Sequence, residues 1–322
     1  MSAIALALHG GCGTLPIEDL PPEEWADARR HIADALRAGW TILAQGGAAV
    51  DAVEATVVAL EDSPHFNAGH GAALNTDAEH ELDAAIMEGA ALRAGAVCAV
   101  RHIRNPVKAA RRLLEAGDSL LLTGPAADAF ARNAGLDMVA QSYFTTERRR
   151  RNLQQLKARV AAGTAALASE AEKHGTVGAV ALDRAGNLAA ATSTGGFNNK
   201  PAGRVGDSPI IGAGTYARNG VCAVSGTGKG EFFIRHVACH EVASLIEYKG
   251  LSLAEATHTV VFDRIGSHRI GAGMIAVDPD GNIAAPFNTL GMYRGWVLPS
   301  GEMHVATHGE VACVAHLSGG AT

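Results

Sequence analysis

A layered α+β fold, with two sheets sandwiched between helices as four αββα layers, is what this chain of 322 residues predicts. Three observations carry that expectation. Hydrophobic residues make up 48% of the sequence, enough for a large buried core. The first half reads mostly as helices around short apolar strands. After residue 176 the pattern turns to strands, then helices, then strands again, which stacks most simply as helices outside paired sheets. No Pro/Ser/Gly linker separates two self-sufficient halves, so residues 1–322 read as one domain.

Ile4–Leu8 is apolar throughout, as in a strand buried on both faces. Pro21-Pro-Glu-Glu24 starts a helix in which Trp25, Ile32, Leu36, Trp40 and Leu43 fall at helical spacing, and Gly46-Gly47 stops it. Asp51 is expected to cap a second helix carrying Val53, Val57 and Leu60. Asn105-Pro106 reads as an N-cap followed by proline at the first helical position, with the helix running to Gly117. Leu120–Leu122 reads as a short strand, and a helix over about 125–134 ends at Gly135. From Thr146 to Lys173 a helix decays into an exposed tail, mobile from about 152 to 175. Gly178–Asp183 and Asn187–Thr194 flank an Asp-Arg-Ala-Gly-Asn turn. Met274–Asp278 and Asn282–Pro286 repeat the plan, so antiparallel hairpins are expected. Between them Glu231–Lys249 and Leu251–Ile265 read as helices, the second with a Ser252-x-x-Glu255 capping box.

A net charge of −6 and a pI near 6.1 argue against nucleic acid or an anionic membrane as partner. The one basic run, Arg148–Arg151, reads as a solvated helical face. Five widely spaced cysteines without a C-x-x-C imply neither a disulfide framework nor a zinc ribbon. The opening apolar run is too short for a signal segment, and no run approaches a membrane span, so a cytoplasmic protein is expected.

The chemistry-bearing residues cluster after the midpoint. In His174-Gly-Thr-Val-Gly178, Thr176 is either an ordinary strand threonine behind a turn glycine or a latent N-terminus. Cutting Gly175–Thr176 would put hydroxyl and α-amine, nucleophile and base, on one residue. Arg204 and Asp207 stand three apart among glycines, either as a surface ion pair or as a clamp for a zwitterion's carboxylate and ammonium. Val224-Ser-Gly-Thr-Gly-Lys-Gly-Glu231 fails as a phosphate loop, since Ala223 stands upstream and Gly230 follows Lys229. It still offers backbone N–H groups for an oxyanion. His236 and His240 lack the glutamate of a metalloprotease helix, because Val237 follows the first histidine. Glu79-His-Glu-Leu-Asp83 looks metal-like by residue type.

Together with His9-Gly-Gly11, Phe66-Asn-Ala-Gly69, Ala191–Gly196, Pro201–Pro209 and Asn288–Tyr293, these motifs resemble the plant-type asparaginase/isoaspartyl aminopeptidase family. Its members are N-terminal-nucleophile hydrolases, and the likeness runs in order from about residue 4 to about 296. The resemblance implies the four-layer αββα fold of those hydrolases and self-cleavage into 1–175 and 176–322, with Thr176 as nucleophile. It further implies that Thr194 orients the nucleophile, that Thr227 and the Gly228 amide hold the oxyanion, that Arg204 and Asp207 bind substrate, and that Asn67 supports the site. Only this resemblance makes the Glu79–Asp83 stretch structural. The substrates implied are asparagine and β-aspartyl dipeptides. No cofactor is required for the chemistry. A structural Na+ on the main-chain carbonyls of Leu60, Glu61, Ser63, Phe66, Ala68 and His70, and a dimer of processed heterodimers, are also implied. Cys12 stands where the family usually has alanine, and Lys229 and Phe197–Lys200 depart from its common forms. Alternatives are a glycosylasparaginase-like amidase, which typically has Asp before the nucleophile and is secreted, and an unprocessed amino-acid-binding relative.

Overall fold

The computed structural model describes residues 3–164 and 175–319. The larger sheet contains β1 (Ala5–Cys12), β2 (Leu82–Glu88), β3 (Ala94–Val100), β4 (Leu121–Thr123), β5 (Val177–Leu182) and β6 (Leu188–Thr194). It is completed by β11 (Met292–Val297), β12 (Glu302–Ala306) and β13 (Val311–His316), in the spatial order β13-β12-β11-β1-β5-β6-β2-β3-β4. The smaller sheet runs β10-β9-β8-β7, from β7 (Thr215–Arg218), β8 (Cys222–Gly228), β9 (Ala272–Val277) and β10 (Ile283–Ala284). Pairing is antiparallel except between β3 and β4.

Helices α1 (Pro22–Ala44), α2 (Ala49–Glu61), α3 (Pro106–Ala116) and α4 (Gly124–Asn133) cover the outer face of the larger sheet. Outside the smaller sheet lie α6 (Gly230–His236), α7 (Ala238–Lys249) and α8 (Leu253–His258), the last continuing as a π-helical stretch, Thr259–Ile265. Four layers result, as expected. Along β5, Val177, Ala179 and Ala181 belong to the core under α1–α3, while Val180 and Leu182 belong to the core between the sheets. A strand sandwiched in this way shows no polar face, which is why β1, β5 and β6 are buried throughout. The sheets approach closely at Gly178, where a Cβ would lie 2.0 Å from the Ser225 hydroxyl. No helix among the described residues is long and apolar enough to cross a membrane.

Several local expectations change. Helix α2 starts at Ala49 with Ala48 at its cap, and Asp51 lies inside the first turn, paired with Arg111 at 2.7 Å. Asn105 does occupy the cap position of α3, but its Nδ2 donates to Asp62 instead of its side chain capping the helix. The helix expected over Glu231–Lys249 breaks at Val237, which adopts φ +47°. The Ser252–Glu255 capping box is formed in both directions. The basic run belongs to α5 (Glu147–Ala161), where Arg150 and Arg151 pair with Glu147 on the solvent side. Arg149, by contrast, is buried with its Nε–H donating to the Gly71 carbonyl, so the run is not a uniformly solvated face. Leu153 and Leu156 are buried too, so the chain is packed well past residue 152. Residues 165–174 of the expected tail lie outside the described residues.

Candidate active site

Thr176 lies just ahead of β5, 5% exposed, facing the end of β6 across a hairpin register in which Val177 opposes Ser193. Its Oγ1 donates to the Gly175 carbonyl at 2.8 Å and lies 3.3 Å from Thr194 Oγ1. That carbonyl also accepts from Thr194 Oγ1 at 3.0 Å and from Asn67 Nδ2 at 2.8 Å. Two donors besides the Thr176 hydroxyl thus converge on the carbonyl that precedes the threonine. The donors are themselves held: Asn67 Nδ2 also reaches the Gly196 carbonyl at 2.6 Å, its Oδ1 accepts the Ala73 N–H at 2.7 Å, and the Gly196 N–H donates to Thr194 Oγ1. Gly175 has φ +159°, and a Cβ there would lie 2.8 Å from the Asn67 Cβ. Glycine before the threonine lets Asn67 close on the carbonyl.

Behind the threonine runs a buried polar chain. Thr215, Thr192, Ser225 and His9 are linked at 2.6, 2.7 and 3.0 Å, and His9 Nδ1 contacts the Thr176 carbonyl at 3.0 Å. Burial pushes the His9 pKa down to about 3, so the ring is neutral. Its one proton sits on Nδ1, donated to the carbonyl, and Nε2 accepts from Ser225. His9 therefore fixes the backbone of Thr176 and has no free nitrogen for base chemistry.

Thr176, Thr194, Gly196, Arg204, Gly206, Asp207, Ser208 and Gly228 line one small cleft. The two charged residues in it do not pair with each other as a surface bridge would. Arg204 Nε and Nη2 both bond Glu231 Oε1 at 3.1 Å, and the guanidinium stacks 4.7 Å from the centre of the Phe197 ring. Asp207 is buried, and burial raises its pKa to about 7 against the pull of Arg204. Its Oδ2 and the Ser208 hydroxyl have no hydrogen-bond partner among the described residues. An orphaned buried carboxylate oxygen beside a held guanidinium suits a ligand carrying both charges. Thr227, 1% exposed, precedes Gly228 at the end of β8. Its Oγ1 accepts the Cys12 N–H, and Cys12 Sγ contacts its carbonyl, each at 3.3 Å. The unusual Cys12 thus packs directly behind the expected oxyanion residue.

Sequence reasoning gives no role to Glu231, to the polar chain through His9, or to Lys200 within the departing Phe197–Lys200 stretch, a buried lysine whose Nζ donates to the Glu81 carbonyl at 2.7 Å. Glu231 closes one Gly-rich motif and Arg204 lies inside another, but their pairing joins positions 27 apart and no spacing rule predicts it. The Glu79–Asp83 stretch is used for packing: Glu81 binds Arg101 and the Gly203 N–H, and Asp83 accepts the Ala99 N–H. His236 meets His268, and His240 meets Ser244 near the surface. The loop after α2 is closed by the His70 N–H on the Glu61 carbonyl at 2.7 Å, and the Leu60 carbonyl accepts the Ser63 N–H. The carbonyls of Ser63, Phe66, Ala68 and His70 accept no N–H among the described residues.

Comparison with known proteins gives a consistent result. The family model described as Asparaginase matches residues 2–307. The isoaspartyl peptidase of Salmonella typhimurium is 46% identical over 302 residues, covering 92% of this chain and 96% of the relative. The isoaspartyl peptidase of Escherichia coli is 45% identical over 299 residues, at 92% and 93% coverage. The isoaspartyl peptidase/L-asparaginase of Rattus norvegicus is 42% identical over 291 residues, at 90% and 85%.

Proposed function

Because the chain belongs to the Asparaginase family, we propose that it is a self-cleaving threonine amidohydrolase. It hydrolyses L-asparagine to L-aspartate and ammonia, and β-aspartyl dipeptides to aspartate and the second amino acid. The observation that carries this reading is the set of contacts on the Gly175 carbonyl, with Thr176 Oγ1 at 2.8 Å and Asn67 and Thr194 donating to the same oxygen.

For maturation, Thr176 Oγ1 attacks the Gly175 carbonyl carbon. Asn67 and Thr194 hold the oxyanion. The C–N bond breaks and the hydroxyl proton passes to the Thr176 nitrogen. Water then opens the ester, leaving Gly175 as a carboxylate and Thr176 with a free amine. In turnover that amine takes the Thr176 hydroxyl proton, and Oγ1 attacks the substrate side-chain carbonyl. The Gly228 N–H and Thr227 hold the oxyanion, and Thr194 orients the nucleophile. Arg204 binds the substrate α-carboxylate and Asp207 its α-ammonium. The amine returns its proton to the departing ammonia or amino acid, and water releases aspartate from the acyl-enzyme.

A monovalent cation fits the loop after α2, where Ser63, Phe66, Ala68 and His70 would supply free carbonyls while those of Leu60 and Glu61 already accept N–H groups. Bound there, it would hold the segment carrying Asn67. A cytoplasmic location and a dimer of processed heterodimers complete the reading.

The test uses residues 1–175 and 176–322 co-expressed as two chains in one cell so that they fold together, with Thr176→Ser or Thr176→Ala opening the second chain. This separates turnover from self-cleavage. The serine form is expected to keep measurable hydrolysis of asparagine and the alanine form none. Equal activity in the two removes Thr176 as nucleophile.

A further inference from the structure

A cavity of about 600 Å³ lies on the Gly175 side of the nucleophile, apart from the cleft that holds Arg204 and Asp207. Gly11, Asn67 and Gly175 line it, and a Cβ on Gly11 would lie 3.2 Å from the Thr176 nitrogen. The cavity therefore reaches the Gly175 side of the Gly175–Thr176 bond, while Thr176 itself lines the other cleft. Its lining includes Arg149, only 5% exposed. The Arg149 Nε–H is spent on the Gly71 carbonyl, but in the uncleaved chain no carboxylate pairs with the guanidinium among the described residues. Its neighbours Arg150 and Arg151 both have Glu147. Asp19 and Glu24 also line the cavity but are exposed to solvent. Burial and the like charge of Arg148 lower the Arg149 pKa to about 9, the cost of a buried cation without a counter-ion. Such a group is a ready site for a carboxylate.

We propose that this cavity receives the leaving residue of a β-aspartyl dipeptide and that Arg149 binds its α-carboxylate. The inference rests on the amidohydrolase reading above. With the aspartyl part held by Arg204 and Asp207 and its side-chain carbonyl at Thr176 Oγ1, the leaving amine points to the side from which Gly175 enters. That side is the cavity. Asparagine releases ammonia and puts nothing there, so Arg149 contributes to dipeptides and not to asparagine.

The deciding experiment compares two substrates on the processed, unmutated protein: β-aspartyl-leucine and the same dipeptide as its C-terminal amide. Removing the carboxylate is expected to lower kcat/KM by about 10- to 100-fold, mainly through KM. Arg149→Gln is expected to erase that difference and to lower the ratio of dipeptide to asparagine turnover. Equal kcat/KM for acid and amide overturns the carboxylate site while leaving asparagine hydrolysis standing. Failure to hydrolyse asparagine and both dipeptides removes the functional reading and the subsite with it. Should Arg149→Gln fold poorly, the acid–amide comparison on the unmutated protein still decides.

Discussion

Asp207 is the residue whose protonation should set the pH response of substrate binding. Its carboxyl titrates near 7 because burial disfavours the charge more than Arg204 restores it. Only the anion can hold an ammonium group, so binding of asparagine should strengthen as pH rises through about 7, read as a falling KM. Stability should move the opposite way. A folded-state pKa above the unfolded value of 3.8 means that the folded protein binds the extra proton. The Asp207 contribution is therefore fully present below that value and is lost as pH rises towards about 7. Asp207→Asn should flatten this slope in denaturant titrations and raise the KM for asparagine strongly. A KM for the parent that does not change across this range would show that Asp207 does not meet the ammonium.

At the scale of elements, the break between α6 and α7 is the clearest stored strain outside the site. Val237 has φ +47°, a region that a β-branched residue occupies at a cost of roughly 1–2 kcal/mol. The chain accepts it because the turn lets the Cys239 and His240 N–H groups reach the Ala213 and Gly212 carbonyls at 3.2 and 2.9 Å. Helix α7 is thereby anchored to the loop that follows Asp207. Val237→Gly keeps the turn and relieves the strain, so it should stabilise the protein by about 1 kcal/mol in urea melts. A destabilised variant would mean that the Val237 methyl contact with Gly212, where a Cβ would lie 3.2 Å away, is worth more than the strain.

Across the whole molecule, the two segments joined at Gly175–Thr176 are interleaved within one sheet. From one edge the strands β13, β12 and β11 come from after the junction, β1 from before it, β5 and β6 from after, and β2, β3 and β4 from before. The order therefore changes segment three times, at β11–β1, β1–β5 and β6–β2, each an antiparallel ladder. Cutting the junction removes no ladder. The fragments 1–175 and 176–322 should consequently co-elute in gel filtration after cleavage and separate only in denaturant. Each expressed alone should fail to fold, because each would expose ladders whose partners lie on the other fragment. Independent folding of either fragment, seen as a cooperative melt, would contradict this.

The sequence by itself determined the layer order, most helices, the two hairpins and the ordered run of Gly-rich motifs, because these are local: periodicity, caps and turn residues report on near neighbours. It also marked Thr176, Thr194, Arg204, Asp207 and Gly228, which the fold brings to one cleft. Strands β2 and β3 carried no readable signal, being alanine-rich and buried on both faces, so neither alternation nor β-branched composition marks them. Tertiary structure alone decided the rest. Arg204 pairs with Glu231 and not with its neighbour Asp207; Asp51 serves Arg111 and not a helix cap; Arg149 turns inward from a run that looks solvated. In each case the partner lies far along the chain. A charge chooses among partners by distance and burial in the folded state, quantities that a one-dimensional pattern does not contain.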